Sequence, residues 1–495
     1  MKKYLLEIVV FICGACLMIL EIIASRILAP FVGTSTIVWT AIIGVIMGFL
    51  SLGYWWGGKL ADKQPTHKFL AKTILFNALF VLFIIFINFP LLFLLLGLKM
   101  NIYVMSTISS VLFFAFPSFM FGIIAPYAAK LKMQDLENSG KIIGRLYAIS
   151  TVGSIFGTFL TGFVLIPFFG TTKILFIIAI TLFTVSLLLC VKNNYKTKIL
   201  FLCLIVMSFL VAQNNFVQTK NFNDIDTEYN RVWVYQGTEN DRPVMKVQID
   251  PLSTQSAMYL DNPNELVFDY TKFYNLGDYF VPNIKNALMI GGAGYSFPKF
   301  FLSTHPDAKL TVVEIDPGMT KIAQKYFHLP VDNKNLEINH EDARTFLNNS
   351  TEKFDTIYID AFNSHLSIPY QLTTKEAVQK LYNSLDKNGV VIINIISSFT
   401  GEKNSFLQAE LKTYKEIFAN IKLFQVKEFS FELPQNIIMI AGKTKLNPNT
   451  DNTKKIEADI MEMLNNEYTE IVELNLPTLT DNYAPVDYYI SKLNS

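Results

Sequence analysis

A chain of 495 residues exceeds one ordinary domain and leaves room for two or three. Hydrophobic residues make up 51% and charged residues only 17%, against about a quarter charged in soluble domains, so part of the chain avoids water. A net charge of +1 excludes the basic signature of a nucleic-acid binder.

The chain opens Met-Lys-Lys and turns apolar at once, as a signal peptide does. Glu21 and Arg26 follow directly and further apolar stretches come after, so the first stretch reads as a retained helix. Crossing a hydrocarbon core takes about 20 apolar residues. Residues 5–28, 37–56, 69–90, 103–125, 142–169 and 174–191 qualify, and 199–212 is a short seventh candidate. Lys2, Lys3, Lys59, Lys63, Lys68, Lys130, Lys132, Lys141, Arg145, Lys192, Lys196 and Lys198 fall on alternate connections, which predicts a cytoplasmic N-terminus. Cys13, Cys16, Cys190 and Cys203 all lie in apolar stretches, against a disulfide framework or a metal site. Cys13-Gly-Ala-Cys16 has redox spacing but reads as small residues at a helix contact. The run Gly144, Ala148, Gly153, Gly157 and Gly162 offers small faces for close helix packing. Glu21, deep in the first span, is costly there and so either functional or a satisfied structural group.

Composition changes after Asn214, so the helical domain is placed at 1–213. Residues 228–275 alternate in the manner of strands, as in Arg231-Val-Trp-Val-Tyr235, and predict a small β-rich module. Residues 276–495 form the last domain. Strands at 287–290, 309–314, 336–339, 356–360 and 389–395 alternate with helices starting near Ser296, Pro317, Ala343 and Thr374. That rhythm predicts a doubly wound, Rossmann-like α/β fold with a parallel sheet.

The motifs sit at strand ends. Ala287-Leu-Met-Ile-Gly291-Gly292-Ala293-Gly294 is an apolar strand entering a glycine turn, either a plain tight turn or one that lets backbone approach a ligand. The next strand ends in Glu314-Ile-Asp316, roughly 20 positions on, where a carboxylate reaches ribose hydroxyls. Asp342, before Ala343, can meet an adenine amino group, cap the following helix, or do both. Asp360 ends a fourth strand, as a turn residue or as a carboxylate that takes a proton from a nucleophile.

With these motifs the soluble part resembles the spermidine/spermine synthases, the aminopropyltransferases. The resemblance spans Tyr229-Asn230-Arg231 to Asn388-Gly389. It implies a fold of the S-adenosylmethionine-dependent methyltransferase type. Nucleoside contacts would fall to Gly291, Gly292, Gly294, Glu314, Asp342 and Ala343, and the proton acceptor would be Asp360. Asn230, Gln255 and Asn363 would lie on the amine side. The co-substrate would be decarboxylated S-adenosylmethionine, or the intact compound, with no prosthetic group and no metal. In the family the catalytic Asp opens an Asp-x-x-Asp-Pro run and a Gln follows the Tyr. Here Asn363 and Asn230 stand at those positions, so a dicationic acceptor such as putrescine loses one counter-charge.

The apolar part resembles that of bacterial proteins in which a membrane domain is fused to such a synthase-like domain. The likeness rests on Leu20–Gly33, on Gly144–Thr158, and on Leu479-Thr-Asp481-Asn-Tyr-Ala-Pro-Val486. It implies a multi-pass protein of the bacterial inner membrane, in contact with lipid. Gly58–Lys63 is similar to a cytoplasmic loop motif of major-facilitator transporters. Seven spans would put the soluble domain outside the cytosol, and six would put it inside, where S-adenosyl compounds are supplied. Three functions follow: aminopropyl transfer to an amine, methyl transfer to a membrane-delivered acceptor, or a transporter or sensor that binds a nucleoside or polyamine without turnover. Aminopropyltransferases are commonly dimers or tetramers, so a homo-oligomer is among the implied arrangements.

Overall fold

The computed structural model describes residues 4–63, 65–133, 139–189, 222–281, 283–361, 368–427, 429–446 and 458–494. The seventh candidate span at 199–212, Cys190, Cys203 and Asn363 lie outside them. The chain divides into two compact units, Met1–Lys220 and Asn221–Ser495.

Among the described residues of the first unit, six helices are long and apolar enough to cross a membrane: α1 (Leu5–Val32), α2 (Thr36–Ala61), α3 (His67–Gly97), α4 (Ile102–Lys132), α5 (Ser139–Phe168) and α6 (Thr171–Leu189). A helix pairs its own backbone groups, which uninterrupted apolar sequence in lipid requires. Glycine sets the closest approaches. A Cβ on Gly153 would sit 2.1 Å from the Phe11 carbonyl oxygen, and one on Gly157 2.5 Å from that of Ala15, so α5 lies directly on α1. Gly53 and Gly122 do the same for α2 and α4. Gly144 and Gly162 face open space, so only the middle of the expected small-residue run makes a contact. Cys13 and Cys16 are buried free thiols on α1. One π-turn, Val111–Ala115, interrupts α4 just before Pro117. Proline lacks the N–H that an α register needs there, and the wider turn absorbs the gap. Glu7 pairs with Lys132 and, at 3.6 Å, with Arg145, joining α1, α4 and α5. Asp62, at the end of α2, pairs with Lys130 at 2.9 Å.

The second unit starts with a four-stranded antiparallel sheet, β1 (Phe222–Asp226), β2 (Arg231–Glu239), β3 (Arg242–Gln248) and β4 (Ser256–Tyr259), in that order. Asn240 and Asp241 turn β2 into β3 with φ of 49° and 60°, the left-handed pair a two-residue hairpin needs. The sheet therefore takes in a strand ahead of residue 228. Short helices α7 (Asp269–Lys272) and α8 (Leu276–Phe280) lead to the main sheet.

That sheet holds β5 (Asn286–Ile290), β6 (Lys309–Val313), β7 (Leu336–Asn339), β8 (Phe354–Ile359), β9 (Leu385–Ser397), β10 (Asn420–Gln425) and β11 (Gln435–Gly442) in the order 10-11-9-8-5-6-7. β9, β8, β5, β6 and β7 are parallel, while β10 and β11 run antiparallel at one edge. The intervening helices are α9 (Ser296–Thr304), α10 (Pro317–Tyr326), α11 (Ala343–Asn349), α12 (Lys375–Ser384) and α13 (Ser405–Lys415), followed by α14 (Ala458–Asn465) and α15 (Val486–Ser491). Both sheet faces are covered, which is why β5, β6 and β8 read as apolar runs. One core lies under α11, α12 and α13; the other takes in α9, α10 and the small sheet's Val232, Val234 and Met258. Lys299 of α9 is buried in the second core, where its ammonium donates to the carbonyls of Pro263 (2.9 Å) and Phe327 (2.5 Å). Burial pushes it down to about 8. Strand order reverses between β5 and β8, and ligands of such sheets bind at the carboxyl ends of the strands there.

Candidate functional site

The glycine turn leaves β5 at this switch point. Gly291 has φ of +92°, and a Cβ on it would sit 2.3 Å from the Asp360 carbonyl oxygen at the end of β8. No other residue type fits both the torsion and the contact. Gly292 and Gly294 pack against side chains. A Cβ on Gly292 would strike the Tyr295 ring, and one on Gly294 the Ser256 side chain, each at 2.7 Å. Neither lines the cleft, although Gly291 and Ala293 do.

Glu314 follows β6 and braces the turn. Its Oε2 accepts the N–H groups of Gly292 (2.8 Å) and Ala293 (3.1 Å), and its Oε1 accepts that of Asp316 (2.9 Å). Burial pushes this carboxyl up, opposed by the three backbone N–H groups that hold its charged form. Oε2 is thereby filled, and Oε1 keeps a further lone pair for a ligand. Asp342 is both a cap and a wall: it accepts from Thr345 N at 3.0 Å at the start of α11, and with Ala343 it lines the cleft.

Asp360 lies opposite, half-buried, with both oxygens engaged. Oδ2 accepts from the Tyr270 hydroxyl at 3.1 Å and Oδ1 from Asn394 Nδ2 at 3.2 Å. Asn394 accepts in turn from Asn436 Nδ2 at 2.9 Å. Burial raises this carboxyl above the usual aspartate range, and the donors oppose the rise. The Tyr274 hydroxyl is buried with no partner at hydrogen-bond distance, and it feels the same carboxylate.

Asn230 and Gln255 also line the cleft, from the small sheet's side. Asn230 Nδ2 donates to Asp316 Oδ2 at 3.4 Å. Pro369, Gln371 and Leu372 close the remaining wall. The whole cleft measures about 830 Å³ with its open mouth. Its carboxylates are Glu314, Glu341, Asp342 and Asp360; no Lys, Arg or His lines it among the described residues. No group of three or more His, Cys, Asp or Glu side chains suited to a metal occurs among those residues either.

Sequence reasoning missed Tyr270, Tyr274, Asn394 and Gln371. Asn394 had a signal: one amide in the apolar strand Val390–Ile395 needs a buried partner. Tyr270 had none, since it reaches Asp360 across 90 residues of chain.

Residues 271–452 match the family model for the spermine/spermidine synthase domain. A polyamine aminopropyltransferase of Vibrio vulnificus is 28% identical over 199 residues, 39% of this chain and 62% of that protein. One from Chromobacterium violaceum is 29% identical, over 32% of this chain and 61% of that protein. An N-terminal histidine N-methyltransferase of Emericella nidulans is 33% identical over 28% of this chain and 24% of its own. The chain thus spans about three fifths of these two aminopropyltransferases. A solved probable spermidine synthase from Corynebacterium glutamicum aligns with a TM-score of 0.40 at 20% identity, covering 45% of this chain and 80% of that one. The C-terminal part carries a spermidine synthase domain, and an apolar unit with six long helices among its described residues precedes it.

Proposed function

We propose that the soluble unit transfers an aminopropyl group from decarboxylated S-adenosylmethionine to a putrescine-like amine. The observation that carries this reading is the charge of the cleft: four carboxylates and no cationic side chain among its described lining. A sulfonium donor ending in an ammonium, and an amine acceptor, both gain from that field. Intact S-adenosylmethionine adds a carboxylate that would meet no partner on this wall. The matched domain and the aminopropyltransferase relatives support the same reading.

In this scheme Glu314 takes the ribose hydroxyls, Asp342 and Ala343 the adenine, and Gly291 lets backbone approach. The neutral amine attacks the propyl carbon bonded to sulfur. The carbon–nitrogen bond forms as the carbon–sulfur bond breaks, and its electron pair stays on sulfur as a neutral thioether. The proton shed by nitrogen passes to Asp360, which Tyr270 and Asn394 hold in one orientation. Asn230 and Gln255 give the acceptor neutral polar partners, and Asn363 would add a third.

A second reading, methyl transfer from intact S-adenosylmethionine, draws on the likeness to a histidine N-methyltransferase; the cleft's unbalanced negative charge weighs against it. The helical unit sits in the bacterial inner membrane, with the N-terminus and the soluble unit in the cytosol. The basic residues at the helix ends support that side for the N-terminus, and the supply of S-adenosyl compounds in the cytosol favours it for the soluble unit. Asp360→Asn tests the catalytic assignment. Turnover falls about 10²-fold or more while nucleoside affinity stays within a few-fold. Unchanged turnover would remove Asp360 from the chemistry.

A further inference from the structure

The C-terminal run Leu479–Val486 has no role in the scheme above, yet it is tied to α11, α12 and α13. Leu479 is fully buried. Its carbonyl accepts from Lys375 N at 2.8 Å, and its N–H donates to Thr413 Oγ1 at 3.0 Å. The next turn is anchored where Asp481 N donates to Glu376 Oε2 at 2.9 Å. Asp481 thereby arrives at the start of α12 with its side chain aimed at two groups. Oδ1 accepts from Thr374 Oγ1 at 2.6 Å, and Oδ2 pairs with Arg344 at 2.7 Å.

Arg344 is the link to the site. It is the second residue of α11, directly after Asp342 and Ala343, which form one wall of the cleft. Its Nη1 donates to the Gln371 carbonyl and to Thr374 Oγ1, each at 3.2 Å. Gln371 belongs to the other wall, with Pro369 and Leu372. One guanidinium therefore spans two walls from behind, and a carboxylate nearly 140 positions along fixes its direction. Arginine suits this task because its planar fork keeps several donors in fixed geometry.

The second consequence is electrostatic. Arg344 stands next to Asp342 and Glu341, yet no cation lines the cleft among the described residues. Asp481 pairs with the guanidinium charge, and Arg344 is not among the residues lining the cleft. With the counter-charge gone, a long cationic side chain would be drawn toward the cleft's carboxylates.

We propose that Asp481 is a positioning residue for the nucleoside cleft: through Arg344 it fixes the spacing of the 342–343 and 369–372 walls and keeps the guanidinium out of the pocket. This rests on the proposed nucleoside site. Half of the Asp481 side chain is exposed, so the pair adds little to global stability and its effect should appear in ligand affinity.

The test uses full-length protein in detergent, with methylthioadenosine binding by calorimetry and steady-state kinetics on decarboxylated S-adenosylmethionine. Asp481→Asn should weaken methylthioadenosine and raise the donor KM, each about tenfold. At saturating donor kcat should stay within twofold, with an unfolding midpoint near wild type. Arg344→Lys should do the same, and the double variant should be no worse than either single one. Asp481→Glu, which keeps the charge, should recover part of the affinity. Unchanged affinity in Asp481→Asn, a fall in kcat with KM unmoved, or additive losses in the double variant would overturn the proposal. Wild-type protein that binds no nucleoside at all would instead overturn the functional reading beneath it.

Discussion

Asp360 shows how far a single side chain can be read before its neighbours are known. Its place at the end of an apolar strand marked it as a candidate, because such ends converge on a crevice. Its protonation behaviour was not legible, since that depends on Tyr270 from α7 and Asn394 from β9. Burial raises the carboxyl and the two donors restrain the rise. The sign follows directly. A base with a raised pKa is active only above it, so the acidic limb of kcat/KM against pH lies above the ordinary aspartate value of about 3.9. Tyr270→Phe removes a donor to the charged form and should move that limb to still higher pH, with activity recovered at alkaline pH. A limb that stays put, or moves down, would remove Tyr270 from the base's environment. Asp342 was legible as a helix cap, as an adenine contact, or as both; in the structure it caps α11 and lines the cleft.

At the scale of elements, the parallel strands and their glycine turn were legible because apolar runs of strand length alternate with capped helices. Asp316, Asp342 and Thr374 each accept a hydrogen bond from the first turn of the helix that follows. The edge strands β10 and β11 were missed: α13 carries the strand–helix rhythm on from β9 to β10, but β11 follows β10 with no helix between, and nothing periodic announces the reversal. The separate duties of the glycines were also hidden. Gly291 alone combines positive φ with backbone at 2.3 Å, whereas Gly294 faces the Ser256 side chain. Gly291→Ala should therefore cost at least ~2 kcal/mol of stability and abolish nucleoside binding. Gly294→Ala, at a position without positive φ whose close neighbours are the Ser256 and Phe327 side chains rather than backbone, should cost less. Thermal unfolding with and without methylthioadenosine measures both, and equal effects would contradict the assigned roles.

For the whole molecule, hydropathy picked out the apolar helices, and the change in composition after Asn214 lies near the division between the two compact units. The small-residue face was only partly readable: Gly153 and Gly157 touch α1, while Gly144 and Gly162 touch nothing. Sequence pattern gives periodicity but not which turn of a helix meets its neighbour. The side of the membrane is a prediction in its own right. A cytosol-active reporter fused after Ser495 should be active, and one active only outside the cytosol should be silent. The reverse would place the soluble unit away from its donor.

The central claim is aminopropyl transfer, and one measurement reaches it most directly. Purified full-length protein is incubated with decarboxylated S-adenosylmethionine or with the intact compound, each with a panel of amines, and the nucleoside products are weighed by mass spectrometry. The account predicts methylthioadenosine from the decarboxylated donor only when an amine is present, with an aminopropylated amine in equal amount. S-adenosylhomocysteine from the intact donor, or donor binding with neither product, would contradict it.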